Sequence, residues 1–473
     1  MLERFRGALR AEARKRHGWI GEIEKRAGLR RGGISDVYSG RVKDFRAVLR
    51  ALDALEIEHR EFFSRALGVG GRPEDDLAEL EVGAEDDDSR LAELERVAIR
   101  LEAETPLACD PLAVEANVDE LLSDITRCNR REQERRLRVT RRYRSHAFAR
   151  AYLEHLDSLR YDAPDDAAKL ASWVIRGVLP KLGEPTPERL ELLCLALGIY
   201  GSARRVRGRY PATARAFRVG LDLARRHRLG RTNAELLQRA SYLLRDLARF
   251  ESALVMLNEA VVLYVELESE VGIGKALVDR GMMLTALGEH YRAIRSLEQA
   301  SSLLEGSLPR TQYTAFYCLA YACEQQGDLD AAERHLQVAI RMPGLEEGFF
   351  RGRLLWLRGT LTLRRGEHKR AEALLRRARE VLGVTENPGQ IALVSLDLLD
   401  SVLAQGEVAE ACALACDMAS LLEAFETRPL AGEAIAKLIR PALAGRLSRA
   451  AVAEARAALK AHGALSAVIR SAL

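Results

Sequence analysis

Residues 288–300 read GEHYRAIRSLEQA, and the spacing within them recurs along more than half of the chain. A glycine opens the segment at Gly288, an alanine follows five residues on at Ala293, a large apolar residue stands at Leu297 and a small one at Ala300. The same spacing returns in GRYPATARAF (208–217), ARFESALVML (248–257), GDLDAAERHL (327–336), GEHKRAEALL (366–375) and GEVAEACALA (406–415). Successive starts lie 40, 40, 39, 39 and 40 residues apart. A fixed period of this size marks a solenoid, in which each unit buries its apolar face against its neighbours.

The spacing also dictates what each unit is. Glycine ends one helix, since it adopts the left-handed conformation without a Cβ clash, and the small residues let the next helix approach closely. Another small residue recurs seven positions before each glycine, at Gly201, Ser241, Gly281, Ala320 and Gly359. There the two helices of one hairpin are expected to cross.

This pattern of small residue, glycine, alanine, apolar residue and small residue resembles the tetratricopeptide repeat over roughly residues 190–427. It departs from that family in its longer period, in the leucines at aromatic positions and in Thr213, which stands where alanine is expected. The resemblance implies that the first helix of each unit lines a concave groove for an extended peptide or protein effector. By register with the family, the groove residues are Gln238, Tyr242, Arg245, Met282, Tyr317, Tyr321, Glu324, Arg353 and Trp356. Aromatic rings with interspersed charges suit an extended peptide, although the same residues also fit a core or rim role. An earlier helix pair is expected at 146–180, and residues 428–473, with Pro429 and Pro441, read as closing helices.

Composition agrees with an all-helical chain. Of 473 residues, 48% are hydrophobic but only 5% aromatic, with Leu, Ala and Val dominating the apolar set. Such a chain is too long for one ordinary core. The net charge of +4 is small, but its distribution is uneven. Residues 1–67 carry sixteen Lys/Arg against ten Asp/Glu, residues 71–125 four against eighteen, and residues 127–150 ten Arg against two Glu. These three stretches read as a basic head, an acidic linker over 68–114, and a basic helix that opens the 115–189 region. The basic helix is either a solvated face paired with acids near 74–88 or an auxiliary phosphate contact.

The head breaks into five short amphipathic helices within residues 1–67. Around AGLRRGGISDVYSGR (27–41), Ile23 and Ala27 face inward from one helix, Gly28 makes a turn, Leu29, Ile34 and Val37 face inward from the next, and Gly40 closes it. Over residues 9–63 this string resembles the Cro/C1-type (XRE) helix-turn-helix family. The resemblance implies a regulator that binds double-stranded DNA as a homodimer, with groove-facing positions at Arg30, Arg31, Gly32, Gly33, Ser35 and Asp36. Arg41 and Lys43 then fall near the phosphate backbone. Gly32 and Gly33 offer no reading side chain, and Glu24 and Ile20 depart from the family. The alternative is therefore a protein–protein interaction scaffold whose head no longer binds DNA.

No catalytic or cofactor motif is found, so the chain is expected not to be an enzyme and to carry no cofactor or metal. Its nine histidines are dispersed, and the glycines of GVGGRP (68–73) and VGIGK (271–275) lack the Gly-Lys-Ser/Thr ending of a phosphate loop. Cys412 and Cys416 sit one helical turn apart but have no second pair to complete a metal site. Seven cysteines in no disulfide framework, and neither an apolar leader nor an eighteen-residue apolar run, suit a cytoplasmic protein without a membrane partner.

Overall fold

A computed structural model describes residues 77–78, 89–103, 117–160, 163–182, 186–307, 309–343, 348–383, 388–418 and 438–461. The proposed DNA-contacting residues Arg30, Arg31, Gly32, Gly33, Ser35, Asp36, Arg41 and Lys43 lie outside them. The described residues form helices and connecting turns, with no strand among them. Packing divides the chain into two compact units.

One unit falls within Val69–Leu243 together with Val262–Leu267. It begins with α1 (Ser89–Ala103), α2 (Val118–Thr126), α3 (Arg130–Val139), α4 (His146–Leu159) and α5 (Pro164–Trp173), followed by α6 (Pro187–Val206) and α7 (Tyr210–Arg226). The linker expected over 68–114 is thus not linker throughout. Leu94, Ala98 and Leu101 of α1 are buried, and its acids Glu93 and Glu95 are matched by arginines from further along the chain. Arg176 reaches Glu93 at 2.9 Å and Arg215 Nε reaches Glu95 at 2.5 Å. In the sequence, the acidic stretches on either side hide this helix's apolar stripe.

The single basic helix expected over 127–150 is also corrected. Asn129 caps α3 by accepting from the Glu132 N–H at 3.1 Å, and Ser145 caps α4 by accepting from the Phe148 N–H at 3.1 Å. Between them, a 3-10 turn at Arg141–Tyr143 swings the fully buried Tyr143 ring onto Phe148, with centroids 4.9 Å apart. Two side-chain caps and one inward aromatic thus break the run. The expected pair at 146–180 is present as α4 and α5, the latter extended by a π turn and a 3-10 turn to Lys181.

The half-buried carboxylate of Asp157 organises the middle of this unit. It accepts from Arg239 Nη1 at 2.7 Å and Nη2 at 3.1 Å, and pairs with Arg160 at 2.6 Å. Burial alone would raise its pKa, but the two guanidinium groups hold it down to about 2.

The other unit takes in Leu244–Val261 and Glu268–Leu473. Two helices contribute to both units, α8 (Gly230–Asp246) and α9 (Phe250–Glu266). Thereafter come the hairpins α10 (Glu270–Ala286) with α11 (His290–Leu303), α12 (Pro309–Gln326) with α13 (Leu329–Ile340), and α14 (Gly348–Arg364) with α15 (His368–Gly383). A fourth pairs α16 (Pro388–Ala404) with α17 (Val408–Asp417), and α18 (Arg449–Ala461) packs on α16.

Each repeat glycine does what its spacing predicts. Gly208, Gly288, Gly327, Gly366 and Gly406 have φ of 72, 77, 91, 81 and 84°. The N–H that follows each one reaches back to a carbonyl in the last turn, as Glu289 does to Leu284 at 2.9 Å and Asp328 to Cys323 at 3.0 Å. The crossings also match. A Cβ on Gly281 would lie 2.5 Å from Leu297, and one on Gly359 would lie 2.8 Å from Leu375. In the other unit Gly201 faces Phe217 in the same way, at 2.8 Å. Thr213, the departure from the expected alanine, is fully buried and donates to the carbonyls of Gly201 at 3.2 Å and Arg209 at 2.9 Å.

Three predictions follow from this packing. Ala248 occupies a glycine position with φ of 59°. Ala248→Gly should therefore raise stability by roughly 0.5–1 kcal/mol, as relief of left-handed strain outweighs the added freedom of the unfolded chain, read as a higher thermal midpoint. Gly281→Val should lower stability by about 1–3 kcal/mol through overpacking against Leu297. Because its folded pKa is depressed, Asp157 contributes stability above its unfolded pKa near 4 that is lost as pH falls towards about 2. The stability gap between wild type and Asp157→Asn should be about 2 kcal/mol at neutral pH and close as acid titration approaches pH 2.

Candidate functional site

The first helices of consecutive hairpins repeat the same register positions, and those positions surround a cavity of about 480 Å³. That volume is within the usual range for a small ligand or a few peptide residues. Six of the nine groove positions read from the sequence line it: Met282 on α10, Tyr317, Tyr321 and Glu324 on α12, and Arg353 and Trp356 on α14. Gln238, Tyr242 and Arg245 do not. Gln238 accepts from the Tyr264 hydroxyl at 2.7 Å, Tyr242 lies under the Arg205 guanidinium at 5.8 Å, and Arg245 is buried beside Asp246.

The wall combines aromatic faces with charges that are already engaged. Arg353, only 3% exposed, lays its guanidinium 3.9 Å from the centre of the Tyr317 ring. Cation–π contact of this kind is strengthened where water is excluded. Tyr317 in turn stacks on Tyr313 at 5.7 Å, and Tyr313 meets Phe350 edge-on at 5.0 Å. Glu324, 1% exposed, pairs with Arg364 Nε at 3.1 Å. Burial drives the Tyr321 phenol pKa upward and pushes the Cys318 thiol up to about 12, so both stay neutral.

The far wall comes from residues that the sequence reading did not single out. Asp397 of α16 accepts from the Trp356 indole N–H at 2.5 Å and from the Thr360 hydroxyl at 3.3 Å, and Arg456 of α18 holds its other oxygen. One helical turn on, Asp400 pairs with Arg449 Nε at 2.6 Å. Both arginines and both aspartates line the cavity. Register alone points to Asp400, which stands six residues before Gly406, as Tyr321 stands six before Gly327 and Met282 six before Gly288. The arginines have a weaker signal, a seven-residue spacing on one face of a helix.

No family model and no curated protein matches the chain. Among solved structures 22 chains match. One is the crystal structure of the yeast Tom70, with 13% identity over 90% of this chain and 86% of that one and a TM-score of 0.39. Among the described residues, no helix is long and apolar enough to cross a membrane.

The burial of Cys318 makes the cavity's integrity measurable. At pH 8 a thiol held near 12 is thiolate in only about one molecule in ten thousand. Alkylation followed by peptide mass mapping should therefore modify the half-buried Cys128 and Cys416 well before Cys318. Trp356→Ala, which removes a wall of the cavity, should bring Cys318 forward in that order.

Proposed function

We propose that this protein is a protein-interaction module whose helical repeats hold a short peptide segment of a partner in the cavity bounded by α10, α12, α14, α16 and α18. One observation carries the reading. Six residues scattered from Met282 to Trp356, all on the first helices of three successive hairpins, meet around one space of about 480 Å³. The rings of Tyr317, Tyr321 and Trp356 supply apolar contact area, and the fixed charges at its rim supply orientation.

The polar wall narrows the kind of segment that fits. Glu324, Asp397 and Asp400 are already matched by Arg364, Arg456 and Arg449. A ligand that enters without displacing these pairs gains most from aromatic or aliphatic side chains against the rings. The cavity takes such side chains one or two at a time, which suits a linear motif.

The resemblance of residues 9–63 to the XRE family adds a second component, in which the repeat domain is the effector-binding half of a homodimeric DNA-binding regulator acting in the cytoplasm without catalysis. The scaffold reading stands beside it, with a head that has lost DNA. Selection from a random duplex pool separates them. A motif enriched by wild type and lost in Arg30→Ala/Arg31→Ala supports the regulator, and no enriched motif supports the scaffold.

The peptide reading is tested by selecting a displayed random-peptide library on the full-length protein. Enriched peptides should lose at least tenfold in affinity for Trp356→Ala, the loss expected when a central aromatic anchor is truncated. Failure of any peptide to enrich, or equal binding to the variant, would overturn it.

A further inference from the structure

The arginine-rich stretch 127–150 is only partly neutralised by its surroundings. Arg130 pairs with Asp166 at 2.7 Å, Arg135 with Glu132 at 2.6 Å, Arg136 with Asp124 at 2.9 Å, and Arg150 with Glu191 at 3.1 Å. Arg142 also holds Asp124. Arg131, Arg138 and Arg144 meet no carboxylate among the described residues, and neither does Lys181 from the turn after α5.

Three of these four cations converge. Lys181 Nζ donates to the carbonyl oxygen of Arg138 at 3.1 Å, and Arg144 Nη2 approaches the same oxygen at 3.5 Å. That carbonyl belongs to the last turn of α3, whose dipole offers about half a negative charge. It cannot balance three full positive charges. The crowding registers at Lys181, whose pKa is lowered first by burial and then by Arg144 and Arg138, with no acid opposing them. In addition, the Arg144 Nε–H is buried without an acceptor. Arg131 stands seven residues before Arg138, so it extends the cluster along the exposed face of α3.

We infer that Arg131, Arg138, Arg144 and Lys181 form a binding surface for the phosphodiester backbone of a nucleic-acid duplex. An uncompensated group of guanidinium and ammonium donors is what backbone phosphates require, and it confers affinity without reading sequence. A lipid surface is the less suitable occupant. Among the described residues of this unit, Val139 is the one exposed large apolar side chain beside the cluster, too little for an apolar wedge into a bilayer. The surface is built entirely within one unit, and the peptide cavity lies in the other.

The test uses the full-length protein and a fluorescein-labelled duplex of arbitrary sequence, with anisotropy read from 50 to 200 mM salt. All measurements are made in the Arg30→Ala/Arg31→Ala background, so a head that binds DNA or one that does not leaves the outcome readable. The parent should bind with a salt-dependent affinity. Arg138→Gln/Lys181→Gln, two exposed positions, should flatten the slope of log K against log salt by about 2, or about 0.9 per lost contact. An Arg130→Gln control, at a paired arginine, should leave the slope in place. Equal slopes for parent and double variant would overturn the inference. So would no duplex binding by the parent, or binding to phosphatidylserine vesicles in its place. Unchanged thermal melting of Arg138→Gln/Lys181→Gln confirms that the loss is not unfolding.

Discussion

In three of the hairpins, one helix backbone lies directly against a single large apolar side chain of its partner. Leu297 against Gly281, Leu375 against Gly359 and Phe217 against Gly201 leave less room than one methyl group needs. This contact sets how near the two helices come and where they cross. The left-handed residue seven positions later sets where the first helix stops, and the alanine five beyond that seats the second. With these three constraints fixed, first-helix positions fall in register from one hairpin to the next. The cavity follows from that register, since the residues six positions before the glycines, Met282, Tyr321, Thr360 and Asp400, are brought to the same space.

Much of this was legible in the sequence because it rests on residue size. Glycine and alanine at fixed spacing can be read without knowing any partner. Six of the groove positions were legible for the same reason. Gln238, Tyr242 and Arg245 do not line this cavity, since register says which face a residue is on but not which neighbour engages it. Gln238 is taken by Tyr264, and Arg245 is packed beside Asp246.

What stayed hidden depends on pairing across distance in sequence. The helix Ser89–Ala103 lies within an acidic stretch and looks solvated until Arg176 and Arg215 arrive, both far downstream. The break in the basic run depends on Tyr143 being drawn inward onto Phe148, although Asn129 and Ser145 are cap residues that a closer reading of local signals would find. The clasp of Arg449 and Arg456 on Asp400 and Asp397 joins two helices with the whole of α17 and the following segment between them. Spacing within a repeat carries no information about a helix outside the repeats.

That clasp has a consequence for how the protein is made. Every other wall of the cavity is contributed by helices that leave the ribosome before α18 does, and hairpins of this kind can pack as they emerge. The space around Trp356 and Asp397 therefore exists in the nascent chain first as an open-sided trough, with a buried aspartate still lacking its cation. Only when Arg456 arrives does that charge find its counter-ion. Synthesis order thus delays the finished cavity until the repeats around it are already in place.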